Sequence, residues 1–168
     1  MRRDQLIRVF GGLEDIGLHC GENGLISDMI VFPGLDYCNL ANARSLPLAD
    51  RIFWHFADAG LRDEIGRIRL NISGCINACG HRHVADIGIL GVNKKGLENY
   101  QISLGGRAGE DAAVGRILGP SFEEDRVPEA IAAIVGVYLD RRQPDESFGD
   151  AVAGLGVDMF KRGLYAPV

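Results

Sequence analysis

The stretch RIRLNISGCINACGHRHVADIGILGV, residues 67 to 92, decides the fold. Ile68, Leu70 and Ile72 alternate with polar residues, a period of two that predicts a strand with one apolar face. ADIGILGV at the other end predicts a second strand. Between them Cys75 and Cys79 stand four positions apart, a spacing that on a helical turn puts both thiols on one face. Glycine, asparagine and histidine surround them: Gly74, Asn77, Gly80, His81 and His83. Two thiolates side by side suggest a metal.

Working outward, Leu6, Val9, Phe10, Leu13 and Ile16 recur at helical spacing and predict an amphipathic helix over 3–17, weakened by Gly11 and Gly12. GLISDMIVF predicts a strand over 25–32, and PGLDYC turns the chain toward a helix with Cys38 at its entrance. Residues 39–59 read as helix, interrupted near Ser45 and restarted by Pro47. YQISL predicts a further strand after an NKKG turn, and AVGRIL a third. Helices are expected over Val127–Tyr138 and Phe148–Phe160, with PDE at 144–146 as the turn between them. After the first helix the order is β-α-β-α-β-β-β-α-α. It predicts an α+β (mixed α/β) fold in which helices pack on a mixed sheet.

The chain of 168 residues suits one domain with a core of its own, spanning 1–168. Apolar residues make up 46% and charged residues 24%, which indicates a globular chain rather than a disordered or fibrous one. No apolar run approaches the roughly 18 to 20 residues of a membrane span, and the start MRRDQLIRVFGG has no signal-peptide pattern, so no membrane partner and a cytoplasmic setting are expected. A net charge of -5 argues against nucleic acid as a partner. In a reducing compartment the four cysteines, Cys20, Cys38, Cys75 and Cys79, are expected to be buried, catalytic or metal-bound rather than paired. For Cys20 a small core residue is the plainest reading.

The loops after two neighbouring strands therefore carry Cys38, and Cys75 with Cys79, and strand ends of this kind gather ligand groups at one sheet edge. Spacing alone leaves three readings open: an iron-sulfur cluster, a zinc site completed by His81 or His83, or unrelated thiols. The aromatic residues Phe53, Trp54 and Phe56 read as core. Lys94 and Lys95 read as a solvated turn. Asp36 and Asp86 have no visible partner and receive no acid-base role. GGRAGEDAAVG lacks the spacing of a dinucleotide loop, and no serine sits in a GxSxG elbow.

GCINACGHRHVADIGILGV resembles the signature of the nitrite and sulfite reductase haemoproteins, which bind siroheme and a four-iron four-sulfur cluster through C-x3-C and an earlier C-x5-C motif. FPGLDYCNLANARSLPLADRI (32–52) is similar to the segment bearing the earlier motif, and YQISLGGRAG (100–109) to the family's glycine-rich strand end. The resemblance covers about residues 13 to 160. It implies an oxidoreductase-type redox domain in which Cys38, Cys75 and Cys79 ligate the cluster and Cys79 also bridges to the siroheme iron. Arg107, Asn77, His81, Arg82 and His83 are the implied siroheme contacts, because a polycarboxylate needs donors such as Arg. It also implies an electron donor protein, or the remaining half of a reductase, as partner.

The sequence departs from that pattern twice. Phe32 occupies the place of the first cysteine of the earlier motif, so the cluster needs a fourth ligand from elsewhere, with Cys20 the available thiol, or is absent or incomplete. The implied substrate pocket lies in a region N-terminal to these motifs, so residues 1–20 read as the tail of a missing half and no turnover is expected from this chain alone. An apolar surface left by that half would favour a homo-oligomer. The alternatives are a cluster-free relative serving as a binding or interaction module, and a zinc-binding structural domain.

Overall fold

The structure is a computed structural model that describes residues 2–18 and 24–165; Cys20 lies outside the described residues. Helix α1 (Arg3–Asp15) leads to strand β1 (Ile30–Phe32), then α2 (Leu46–His55), α3 (Ala59–Ile65) and β2 (Leu70–Ser73). Strands β3 (Ile87–Lys94), β4 (Leu97–Leu104), β5 (Arg116–Ile117) and β6 (Phe122–Glu123) follow, and α4 (Val127–Arg141), α5 (Phe148–Leu155) and α6 (Val157–Tyr165) complete the chain. The sheet runs β1-β2-β3-β4-β5, with β6 also on β4; β1, β2 and β3 are parallel and the rest antiparallel. The expected mixed sheet with packed helices is present.

The register explains why each face has its character. Leu70, Ile87 and Leu104 are direct neighbours across three strands, as are Ile72, Ile89 and Ile102, and all six are buried under the helices. On the opposite face the row is Asn71, Gly88 and Ser103. One face is thus apolar core and the other is polar but still buried, covered by the cysteine-bearing loop 74–86. The β3–β4 hairpin turns through Lys95 and Gly96 at φ 55° and 86°, the left-handed pair that a two-residue hairpin needs.

Several elements differ from the sequence reading, each for a local reason. Strand β1 is shorter than 25–32, because Gly24 donates its N–H to Asp28 Oδ2 (2.8 Å) and Asp28 its own to Leu25 O (2.9 Å), curling the chain before Met29. Residues 39–45 are not helical: Asn42 and Ala43 donate to Gly74 O (2.8 and 3.2 Å) instead of to carbonyls four residues earlier. The expected helix to Ala59 ends near Phe56, and Asp58, accepting from Leu61 N at 2.8 Å, caps the separate α3. The single helix expected over 148–160 is two, broken at Gly156 (φ 77°). Phe56 is core as expected, whereas Trp54 is exposed.

Candidate functional site

Cys38 and the Cys75/Cys79 pair leave the same end of two adjacent parallel strands, since Phe32 is level with Ser73. Their loops touch backbone to backbone. A Cβ on Gly74 would lie 2.6 Å from Gly34 Cα and 2.7 Å from Ala43 O, so only glycine allows this approach. The Cys38 loop is also held from the far side of the sheet. Glu98 accepts from Arg44 N (2.6 Å) and Nε (3.0 Å), and Tyr100 donates its hydroxyl to Arg44 O (2.8 Å). Burial, followed by the charges of Glu124 and Glu98, raises the Tyr100 hydroxyl well above the usual tyrosine range, so it stays a donor at all ordinary pH.

The second loop is pinned to the polar face of the sheet. Asn71 donates to Gly80 O (2.8 Å), Gly80 N donates to Ser73 Oγ (3.1 Å), and the Arg82 carbonyl sits where a Cβ on Gly88 would be. This pinning overrides the expected helical turn. Residues 74–81 are a chain of tight turns, with Ala78 N bonding Cys75 O (3.2 Å) and His81 N bonding Ala78 O (2.8 Å). Ala78 and His81 stand at φ 54° and 52°, left-handed conformations that are strained for residues with a Cβ. Cys75 and Cys79 therefore do not share a helical face: Cys75 is buried and Cys79 exposed, while Cys38 is half-buried. Asn77, between them, is exposed.

Arg82 stands out electrostatically. It opens a short 3₁₀ turn, Arg82–Val84, is 8% exposed, and its Nε has no hydrogen-bond partner among the described residues. Burial lowers its pKa below the usual arginine value. The neighbouring His83 is held below the usual histidine range by burial and then by the Arg82 charge, which keeps its imidazole neutral. His81 is exposed. Arg107, one of the implied siroheme contacts, is ion-paired with Asp150 at 2.8 Å. The Ser147 hydroxyl and then Arg107 hold that Asp150 carboxyl below its usual range. Asp86, read as partnerless, accepts from Arg69 N (2.8 Å) and Nε (3.3 Å). Arg67, Arg69, Arg107, Asp86, Asp150 and Asn71 line a cleft of about 740 Å³ beside the pinned loop.

A four-iron cluster requires four ligands converging on one point. Among the described residues no group of three or more His, Cys, Asp or Glu side chains converges closely enough to hold a metal ion, and Phe32, 42% exposed, stands where the first cysteine of the earlier motif was expected. The described residues thus do not fit a complete cluster, nor a zinc site of three thiols and a histidine. They do fit an anion. A buried guanidinium nitrogen, Arg82 Nε, that has no partner among the described residues leaves unmet a demand that a carboxylate satisfies.

Residues 66–167 match the model of the nitrite and sulphite reductase 4Fe-4S domain, and the chain belongs to that family. Among its relatives are the sulfite reductase (NADPH) hemoprotein beta-component of Musicola paradisiaca, 36% identical over 58% of this chain and 16% of that protein, and the sulfite reductase (ferredoxin) 2 of Mycolicibacterium paratuberculosis, 31% identical over 86% of this chain and 28% of that protein. The assimilatory ferredoxin-dependent nitrite reductase of Haloferax mediterranei is 28% identical over 74% and 22%. The solved Mycobacterium tuberculosis NirA protein superposes at a TM-score of 0.75 with 24% identity, over 95% of this chain and 31% of that one. Dissimilatory sulfite reductase I superposes at 0.74 with 13% identity, over 100% and 59%. Both share the fold. The chain thus spans less than a third of the length of the curated relatives named here. No helix among the described residues is long and apolar enough to cross a membrane.

Proposed function

We propose that this chain is the cofactor-binding part of a siroheme nitrite or sulfite reductase, with Cys79 offered to the siroheme iron and Arg82 to a siroheme carboxylate. The observation that carries this reading is the pinned 74–86 loop, which exposes Cys79 and, three residues further on, buries Arg82 with an Nε that has no partner among the described residues. When bound, siroheme supplies an iron that takes up the substrate anion and receives electrons. The protein's own share is positional. Asn71 and Ser73 fix the loop, Asn77 and His81 stand exposed at its rim, and neutral His83 offers hydrogen bonds without adding charge beside Arg82. Arg107 reaches a carboxylate by exchanging it for Asp150.

Cys38 and Cys75, with Cys79, are proposed as iron ligands only where their loops draw closer together than in this structure and a further group replaces the cysteine lost at Phe32; Cys20 is the thiol the sequence offers. Turnover requires an electron donor and the remaining parts that the longer relatives possess, and a cytoplasmic setting suits such chemistry. Isolated, siroheme-loaded chain is expected not to oxidise reduced methyl viologen with sulfite or nitrite. The second reading, a cluster-free binding module, is favoured by Phe32.

The spectrum of siroheme bound to Cys79→Ser and Cys20→Ser chains tests the first reading. Loss of the thiolate-ligated spectrum in the former with retention in the latter is the expected result. Equal, minor effects from both would sink it.

A further inference from the structure

Helix α1 carries an apolar seam that the described chain leaves open. Leu6, Val9 and Leu13, with Ile16 at the helix's C-cap, follow at intervals of three, four and three, the a and d positions of a heptad, and are 53, 44, 36 and 67% exposed. The helix is also poorly equipped to stand alone. Its 13 residues are close to the lower limit for an isolated helix in water. Gly11 and Gly12 each weaken it by about 1 kcal/mol relative to alanine, and neither has a neighbour within 4 Å that would explain a glycine there. Arg2 provides no side-chain cap. At the C-terminal end the charges run against the helix's own dipole, with Glu14 and Asp15 in its last turn, while at the N-terminal end Arg2 opposes the dipole and Asp4 favours it.

One neighbour answers all of these features: a reversed copy of the same helix. Reversal exchanges position 6 with 16 and 9 with 13, so the seam is its own complement in antiparallel pairing, with each a residue meeting a d residue. The same reversal opposes the two dipoles and lays the acidic end of one helix along the basic half of the other. Such self-complementarity is the mark of a twofold interface. We propose that α1 is a self-association surface through which two copies of this chain pair antiparallel, Leu6 against Ile16 and Val9 against Leu13 of the second copy. A contact between two short helices is smaller than the roughly 1,600 Å² of a standard interface, so association is reversible and rises with concentration.

Sedimentation velocity over a concentration series tests this. The unmodified chain shifts from monomer toward dimer as concentration rises, while Val9→Glu and Leu13→Lys each stay monomeric. An equimolar mixture of the two variants regains the dimer, because antiparallel pairing sets the new carboxylate against the new ammonium; parallel pairing would not. Far-ultraviolet circular dichroism checks that each variant is folded, and Leu6→Glu with Ile16→Lys is the second complementary pair should either fail. An unmodified chain that remains monomeric, as expected if α1 instead packs against other parts of a longer protein, overturns the proposal. So does a dimer that either single variant leaves intact, or a mixture that stays monomeric.

Discussion

Replacing Gly74 by alanine separates the two cysteine loops. The added methyl would sit 2.6 Å from Gly34 Cα and 2.7 Å from Ala43 O, where carbon contacts need about 3.5 to 4 Å. One loop has to retreat by about 1 Å, and both obstacles are backbone, so no side chain can swing away. Retreat stretches the Asn42 N and Ala43 N bonds to Gly74 O, each contributing about 0.5–1.5 kcal/mol. Overpacking strain adds about 1–3 kcal/mol. The loss of unfolding free energy is therefore about 2–6 kcal/mol, read by urea denaturation. Gly136→Ala is the control: nothing lies within 4 Å of a Cβ at this α4 position, and the substitution should stabilise by up to about 1 kcal/mol. The loop separation has its own signature, faster reaction of the buried Cys75 thiol with a disulfide reagent below the unfolding transition. Gly74→Ala with unchanged stability and unchanged Cys75 reactivity would refute the close approach of the loops.

Further outcomes follow from the same geometry. Tyr100→Phe removes the hydroxyl donated to Arg44 O and should destabilise by about 1 kcal/mol in thermal unfolding, while also loosening the Cys38 loop. Arg82→Met removes a buried side chain whose Nε has no partner among the described residues, so it should stabilise the siroheme-free chain by about 1 kcal/mol while weakening siroheme binding; parallel melting and titration experiments check both halves. His83 has its pKa depressed by folding, so its contribution to stability is complete above the unfolded value near 6.5 and is lost as pH falls through the lower folded value. His83→Gln should flatten that part of the stability profile as pH falls below about 6.5. Phe32→Cys restores the missing thiol at an exposed strand end and should raise the iron retained after anaerobic reconstitution with iron and sulfide, measured by iron and acid-labile sulfide content.

The strands were legible because their faces differ: alternation of Ile68, Leu70 and Ile72 with polar residues reports a sheet between a helical layer and a polar covering. The same alternation held the clue to Asn71 and Ser73, which sequence reasoning overlooked and which prove to be the pins of the cysteine loop. The C-x3-C segment was misread as helical because its conformation is set by the sheet beneath it, through contacts that spacing within the segment does not encode. The partners of Arg44 and Arg107 lie 54 and 43 residues away, so no local pattern announces Glu98 or Asp150. The break at Gly156 had a local signal, a glycine within the helical pattern, which the apolar periodicity on either side concealed.

Retention of siroheme by the purified chain tests the central claim most directly. Anaerobic incubation with siroheme, gel filtration and measurement of protein-bound iron and absorbance should give stoichiometric siroheme on the unmodified chain, with a spectrum altered in Cys79→Ser. Siroheme that separates fully from the folded chain, or a spectrum indifferent to Cys79, would contradict the account.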